Sequence, residues 1–141
     1  MYDPEDHDLY LTPKIAYFSS VKGGASRHML VNGSDQQIAV KIKCSNNSLY
    51  RVSPVYCNLV PGQAQRLQIV RDPGAAKVDK LIILFKRSDA INPRDAFVLT
   101  NDEESESVQK RLIALISQED VAVQQAPRTS LKTILQKNSV A

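Results

Sequence analysis

Apolar and polar positions alternate along this chain in short runs, separated by turns rich in Pro, Gly and Asn. The clearest run is QQIAVKIKCS (36–45), where Ile38, Val40, Ile42 and Cys44 fall on one side and Lys41, Lys43 and Ser45 on the other. That period of two is the mark of a half-buried β-strand. Upstream, LYLTPKIAYFSS (9–20) alternates around Pro13, which suits an edge strand or a strand that switches sheets at a bend. Its inward positions read as Leu9 and Leu11 before the proline and Ile15 and Tyr17 after it. The run 26–35 closes on Asn32-Gly33, and an Asn-Gly pair between two alternating runs predicts a hairpin.

Further on, LYRVSPVYCNLV is extended, with Pro54 removing a ladder donor at its middle. VPGQ has Pro61 and Gly62 at the two central positions of a type II turn. Strands follow at AQRLQIVR (64–71), KLIILFKR (80–87) and QKRLIALIS (109–117). The second of these is apolar nearly throughout, as expected of a central strand buried on both faces. PRDAF is one helical turn with Pro93 at its first position. Seven strands about ten residues apart predict an all-β, seven-stranded immunoglobulin-like β-sandwich.

Charge adds an organisation that periodicity does not show. Residues 1–8 carry four acids and no Lys or Arg, and residues 102–106 carry four more acids, whereas residues 9–100 hold 13 Lys/Arg against 5 Asp/Glu. A basic core with acidic flanks attracts anionic partners. We divide the chain into an acidic N-terminal tail (1–8), a domain (9–118) and a C-terminal tail (119–141). The tail includes SLKTILQK, a short helical candidate with Leu131, Ile134 and Leu135 on one stripe. No run is long enough to span a membrane, and the acidic start lacks the regions of a secretory signal, so a soluble intracellular protein is expected.

Candidate chemistry is sparse. His7 and His28 stand alone, and Cys44 and Cys57 are thirteen residues apart without the paired spacing of a zinc site, so no metal or cofactor is expected. A reducing compartment favours two free thiols over a Cys44–Cys57 disulfide, and Cys44 reads as a small core hydrophobe. VKGGAS is a turn, since it lacks the remainder of a phosphate-binding loop. The basic core has neither an aromatic stacking platform nor a basic helix, which argues against nucleic acid as the partner.

The stretch KIKCSNNSLYRVSPVYCNLVPGQ, with its lysine-bearing strand, its Y-x-V-x-P run and its P-G turn, resembles the signature of the major sperm protein (MSP) domain superfamily. Together with AAKVDKLIILF it is most similar to the small nematode sperm-specific members, and the resemblance spans roughly residues 9–118. It implies the same seven-stranded sandwich, no enzymatic activity and a protein partner. Members of the family self-associate into homodimers and sperm cytoskeletal filaments, or bind acidic peptides of the two-phenylalanine FFAT type. Carried over by position, the peptide-binding candidates are Lys43, Ser45, Lys80, Ile82 and one of Lys110 or Arg111, with Lys41 beside them on the outward side. Cys44 stands where relatives place a hydroxyl. Prolines matching Pro13 and Pro54 are often cis in the family, and at least one is expected to be cis here.

Overall fold

A computed structural model describes residues 8–98 and 107–119. The acidic residues 1–7 and 102–106, and the helical candidate at 130–137, lie outside them. Among the described residues, nine strand segments make two sheets: β1 (Leu9–Thr12), β2 (Ile15–Ser19), β3 (Gly24–Asn32), β4 (Ile38–Cys44), β5 (Tyr50–Ser53), β6 (Tyr56–Leu59), β7 (Ala64–Arg71), β8 (Val78–Arg87) and β9 (Gln109–Gln118). One sheet runs β1-β3-β7-β5 and the other β2-β9-β8-β4-β6. A 3-10 turn at Pro93–Phe97, capped by the Asn92 side chain accepting from the Arg94 amide, lies outside the second sheet. The all-β, two-sheet sandwich is the predicted class.

Strand breaks fall at Pro13 and Pro54, both preceded by cis peptide bonds. β1 belongs to the four-stranded sheet and β2 to the five-stranded one, and β5 and β6 divide in the same way. Each strand therefore crosses from one layer to the other at its proline, where a missing N–H costs no ladder bond.

The crossing corrects one sequence expectation. Leu9 and Leu11 are buried as predicted, but beyond the bend Ala16 and Phe18 face the core, while Ile15 and Tyr17 are exposed. The two sheets face each other, so the inward direction reverses when a strand changes sheet. The inward parity reverses with it. The same reversal occurs at Pro54: Tyr50 and Val52 pack inward before it, Cys57 and Leu59 after it.

The Asn32-Gly33 hairpin is also overturned. β3 pairs with β1 and β7, and β4 pairs with β6 and β8, so the connection between β3 and β4 passes from sheet to sheet. Asn32 is fully buried there. Its Nδ2 donates to the carbonyls of Gln36 and Leu59, each at 2.8 Å, and its Oδ1 accepts from the Ser34 amide and hydroxyl. The side chain supplies the bonds that a hairpin ladder would have made. In contrast, the predicted type II turn is present, with Gly62 at φ 81° and the Gln63 amide donating to the Val60 carbonyl at 2.9 Å.

The core is the inner faces of both sheets, including Leu30, Leu67 and Ile69 from one and Val40, Ile83, Phe85 and Ile113 from the other. Burying a side chain of this size stabilises a fold by about 1.5–3 kcal/mol. Phe18 and Tyr50 meet edge to face with ring centres 5.4 Å apart and join the two layers. β8 lies at the centre of its sheet, as its apolar run predicts. Its Leu81, Ile83 and Phe85 enter the main core, while Leu84 packs on the opposite face with Ala39 and Phe97 beneath the 3-10 turn.

Candidate functional site

The site begins with the register of three strands. Across β4 and β8, Lys41 stands opposite Leu84 and Lys43 opposite Ile82. Across β8 and β9, Lys80 stands opposite Ala114, Ile82 opposite Leu112, and Leu84 opposite Lys110. Side chains paired across a ladder share a face, and Ile42, Ile83 and Ile113 of the same strands lie in the core. Lys41, Lys43, Lys80, Ile82 and Lys110 therefore gather on the outer face of the five-stranded sheet. Arg111 does not join them. It has the parity of Ile113 and Leu115, is buried, and sits with its guanidinium carbon 4.9 Å from the Phe85 ring centre.

Ser45 stands at the rim of this face with its hydroxyl already engaged. It donates to Asp79 Oδ1 at 3.1 Å and accepts from the Lys80 amide at 3.0 Å, while the Ser45 amide donates to the Lys80 carbonyl. Ser45 thus fixes the backbone that carries Lys80. Asp79 is buried, and it also accepts from Asn46 Nδ2 at 3.1 Å and faces Lys77 Nζ at 3.7 Å. This carboxylate is balanced within the fold, which leaves the outward character of the face to its lysines.

Three further residues of the site are not evident from the motif. Tyr56, paired with Lys41 across β4 and β6, has Arg94 4.6 Å and Lys41 5.9 Å from its ring centre. Lys86 Nζ lies 6.0 Å from the ring centre of Phe97, which itself packs against Tyr56. Lys86 has the parity of Lys80 and could have been found by alternation. Arg94 needed the 3-10 turn to bring it to the sheet.

Beside the lysines an open groove of about 480 Å³ runs between the start of β8 and the middle of β9, with Ser45, Val78, Lys80, Leu112 and Ala114 among its lining. Its apolar floor and basic rim suit an apolar anchor followed by acidic residues.

The cysteines take no part in this face. Cys57 pairs with Val40 on β4, four residues before Cys44, which puts the two about 13 Å apart along the strand. That separation is too great for a disulfide, and both thiols are free. Burial pushes the Cys44 thiol up and the Cys57 thiol up to about 11. Among the described residues, no three His, Cys, Asp or Glu side chains are grouped so as to hold a metal, and no helix is long and apolar enough to cross a membrane.

Comparison with known proteins agrees with this architecture. The chain is 46% identical over 78 residues to the protein D2007.2 of Caenorhabditis elegans, matching 55% of this chain and 40% of that protein, so it spans less than half of that relative. It is 44% identical over 77 residues to sperm-specific class P protein 10 of the same nematode, matching 53% of this chain and 71% of the relative. Among solved structures, the C. elegans MSP family member WR4 superposes with a TM-score of 0.69 at 29% identity, covering 79% of this chain and 98% of WR4. The MSP-domain protein SSP-19 of C. elegans does so with a TM-score of 0.67 at 32% identity, covering 76% and 96%. The profile of the MSP (major sperm protein) domain matches residues 8–106, and the chain belongs to that family.

Proposed function

We propose that this chain is a non-catalytic protein-binding module of nematode sperm cytoplasm, which engages acidic segments of a partner through the outer face of its five-stranded sheet. The observation that carries this reading is the register that aligns Lys43, Ile82 and Leu112 in one row, with Lys80 and Lys110 in the rows on either side. Acidic side chains of an extended peptide would meet the lysines, and an aromatic or aliphatic residue would enter the groove beside Leu112. The sperm setting rests on the sperm-specific C. elegans relatives. In that cell the module serves the motility cytoskeleton, as a subunit or as an accessory of it. An FFAT-like adaptor would use the same face.

The test is fluorescence anisotropy of a labelled acidic diphenylalanine peptide against the full chain, in parallel with Lys43→Glu and Lys80→Glu. Binding that weakens at least tenfold in each variant, and that falls with added salt, supports the reading. Equal affinity for all three proteins would refute it. Light scattering across concentration separates a filament subunit, which grows in size, from an accessory module, which does not.

A further inference from the structure

The outer face of the five-stranded sheet is divided. Toward β6 it is basic and partly covered by the 3-10 turn; toward β2 it is apolar. Tyr17, Ile116 and Val78 align in one row across β2, β9 and β8; Ile15 and Ala114 stand in the next, which Lys80 completes on β8; and Leu112 and Ile82 stand in a third, which β2 does not reach. Val78 is 69% exposed, Leu112 52%, Tyr17 48% and Ile15 38%. These apolar residues spread over about 10 by 14 Å, with Lys80 at the β8 edge of the middle row. Contiguous apolar surface of this kind marks a docking site.

The position of the chain's exit suggests the occupant. β9 ends at Gln118, the register partner of Ser19 on β2, so the polypeptide leaves the fold at the Tyr17 end of the apolar half. Residues 120–141 follow, and from 121 onward they include no acid. Within them, Leu131, Ile134 and Leu135 share one face when wound as a helix, with Lys132 and Lys137 away from it. Eight helical residues are about 12 Å long, close to the height of the patch. The twelve chain steps from Glu119 to Leu131 reach roughly 40 Å when extended, so the linker is ample. Such a short helix is marginal in water and gains its stability from a surface to pack on.

We propose that the C-terminal segment folds back on its own domain, with Leu131, Ile134 and Leu135 covering Tyr17, Val78 and Leu112. Val78 and Leu112 also line the groove between β8 and β9, so the docked segment and a peptide's apolar anchor would use one surface. The docking stands independently of the peptide-binding reading.

Methyl-labelled full-length protein in dilute solution gives the test. The expected result is nuclear Overhauser contacts from the methyl groups of Leu131, Ile134 and Leu135 to those of Val78 and Leu112 and to the Tyr17 ring. An Ile134→Glu/Leu135→Glu double variant should abolish these contacts and shift the Ile15, Val78 and Leu112 resonances, leaving those of Ile83 and Leu115 in place. Leu112→Glu, made separately on the face, should release the segment equally. Absence of the contacts in the native chain, with the face unmoved by the tail variant, would overturn the proposal. So would contacts that appear only between differently labelled chains and grow with concentration, since the occupant would then be a second copy. Neither readout uses peptide binding, so failure here and failure of the proposed function are distinguishable.

Discussion

His28 Nδ1 lies 2.7 Å from the carbonyl oxygen of Pro13, at the point where the first strand leaves one sheet for the other. A carbonyl only accepts, so Nδ1 carries a proton and donates it to Pro13, while Nε2 is hydrogen-bonded to the Ser26 hydroxyl at 2.8 Å. His28 is buried on the inner side of β3. The histidine that sequence left without a role thus joins β3 to the bend that delivers β2. Replacing it should loosen the bend. We expect His28→Ala to lower stability to urea by about 1–3 kcal/mol, because the Pro13 carbonyl loses its donor. Ser26→Ala should cost less, and an unchanged urea midpoint in His28→Ala would contradict this role.

Arg71 is a second buried anchor, only 2% exposed. Its Nε donates to the Tyr50 hydroxyl at 3.1 Å, Nη2 to the Ala75 carbonyl at 2.6 Å, and Nη1 to the carbonyls of Ser20, Asp72 and Gly74 at 3.1–3.4 Å. One guanidinium thereby satisfies the loop before β8 and the turn after β2. Arg71→Met should destabilise by about 2–4 kcal/mol, since apolar bulk leaves several carbonyls without donors. Arg71→Lys should recover little, because an ammonium cannot span the fork. Thermal unfolding, with amide exchange at residues 20–23 and 72–76, would measure both effects.

Two turn glycines should respond differently to the same substitution. Gly23 has φ 74°, and a Cβ there would collide with the Arg71 carbonyl oxygen, whereas Gly62 has φ 81° with open space around it. Gly62→Ala should cost only the left-handed backbone penalty, about 1–2 kcal/mol. Gly23→Ala should cost more than that, because backbone must also move. Chemical denaturation of the two variants side by side gives the comparison, and equal losses would show that the Gly23 contact is relieved at no cost.

The Cys57 thiol should impose an alkaline limit. Burial favours its neutral form and moves its pKa from 9.0 to about 11. A proton held more tightly in the folded state means that this contribution is complete below about pH 9 and disappears as pH rises to about 11. Between those limits the native protein should lose about 1–2 kcal/mol more than Cys57→Ala does, which removes the titrating group. Urea titrations at intervals from pH 8 to about 11 would test the difference in slope. Parallel slopes for the two proteins would be inconsistent with a buried thiol.

Strand positions were legible in sequence where the period of two was unbroken. AQRLQIVR coincides with β7, Ala64–Arg71, and the inward set of β4 is the predicted one. The outward direction of Lys41 and Lys43 was legible for the same reason, since they alternate with buried aliphatic residues, whereas Lys80 was picked out by the family resemblance. Arg111 was not resolved from Lys110. LIALI has apolar residues on both parities, so alternation within β9 could not say which base faces the core.

Sequence by itself determined the layered β class, the proline interruptions, the type II turn and the outward direction of the lysines on β4, because each depends on residues close along the chain. Tertiary structure alone decided the reversal of parity past Pro13 and Pro54, the burial of Asn32, His28 and Arg71, and the meeting of Tyr56 with Arg94. The physical reason is that local periodicity records which residues share a face, whereas inward and outward are defined by the opposing sheet. A strand that changes layers keeps its own alternation and exchanges its inside for its outside.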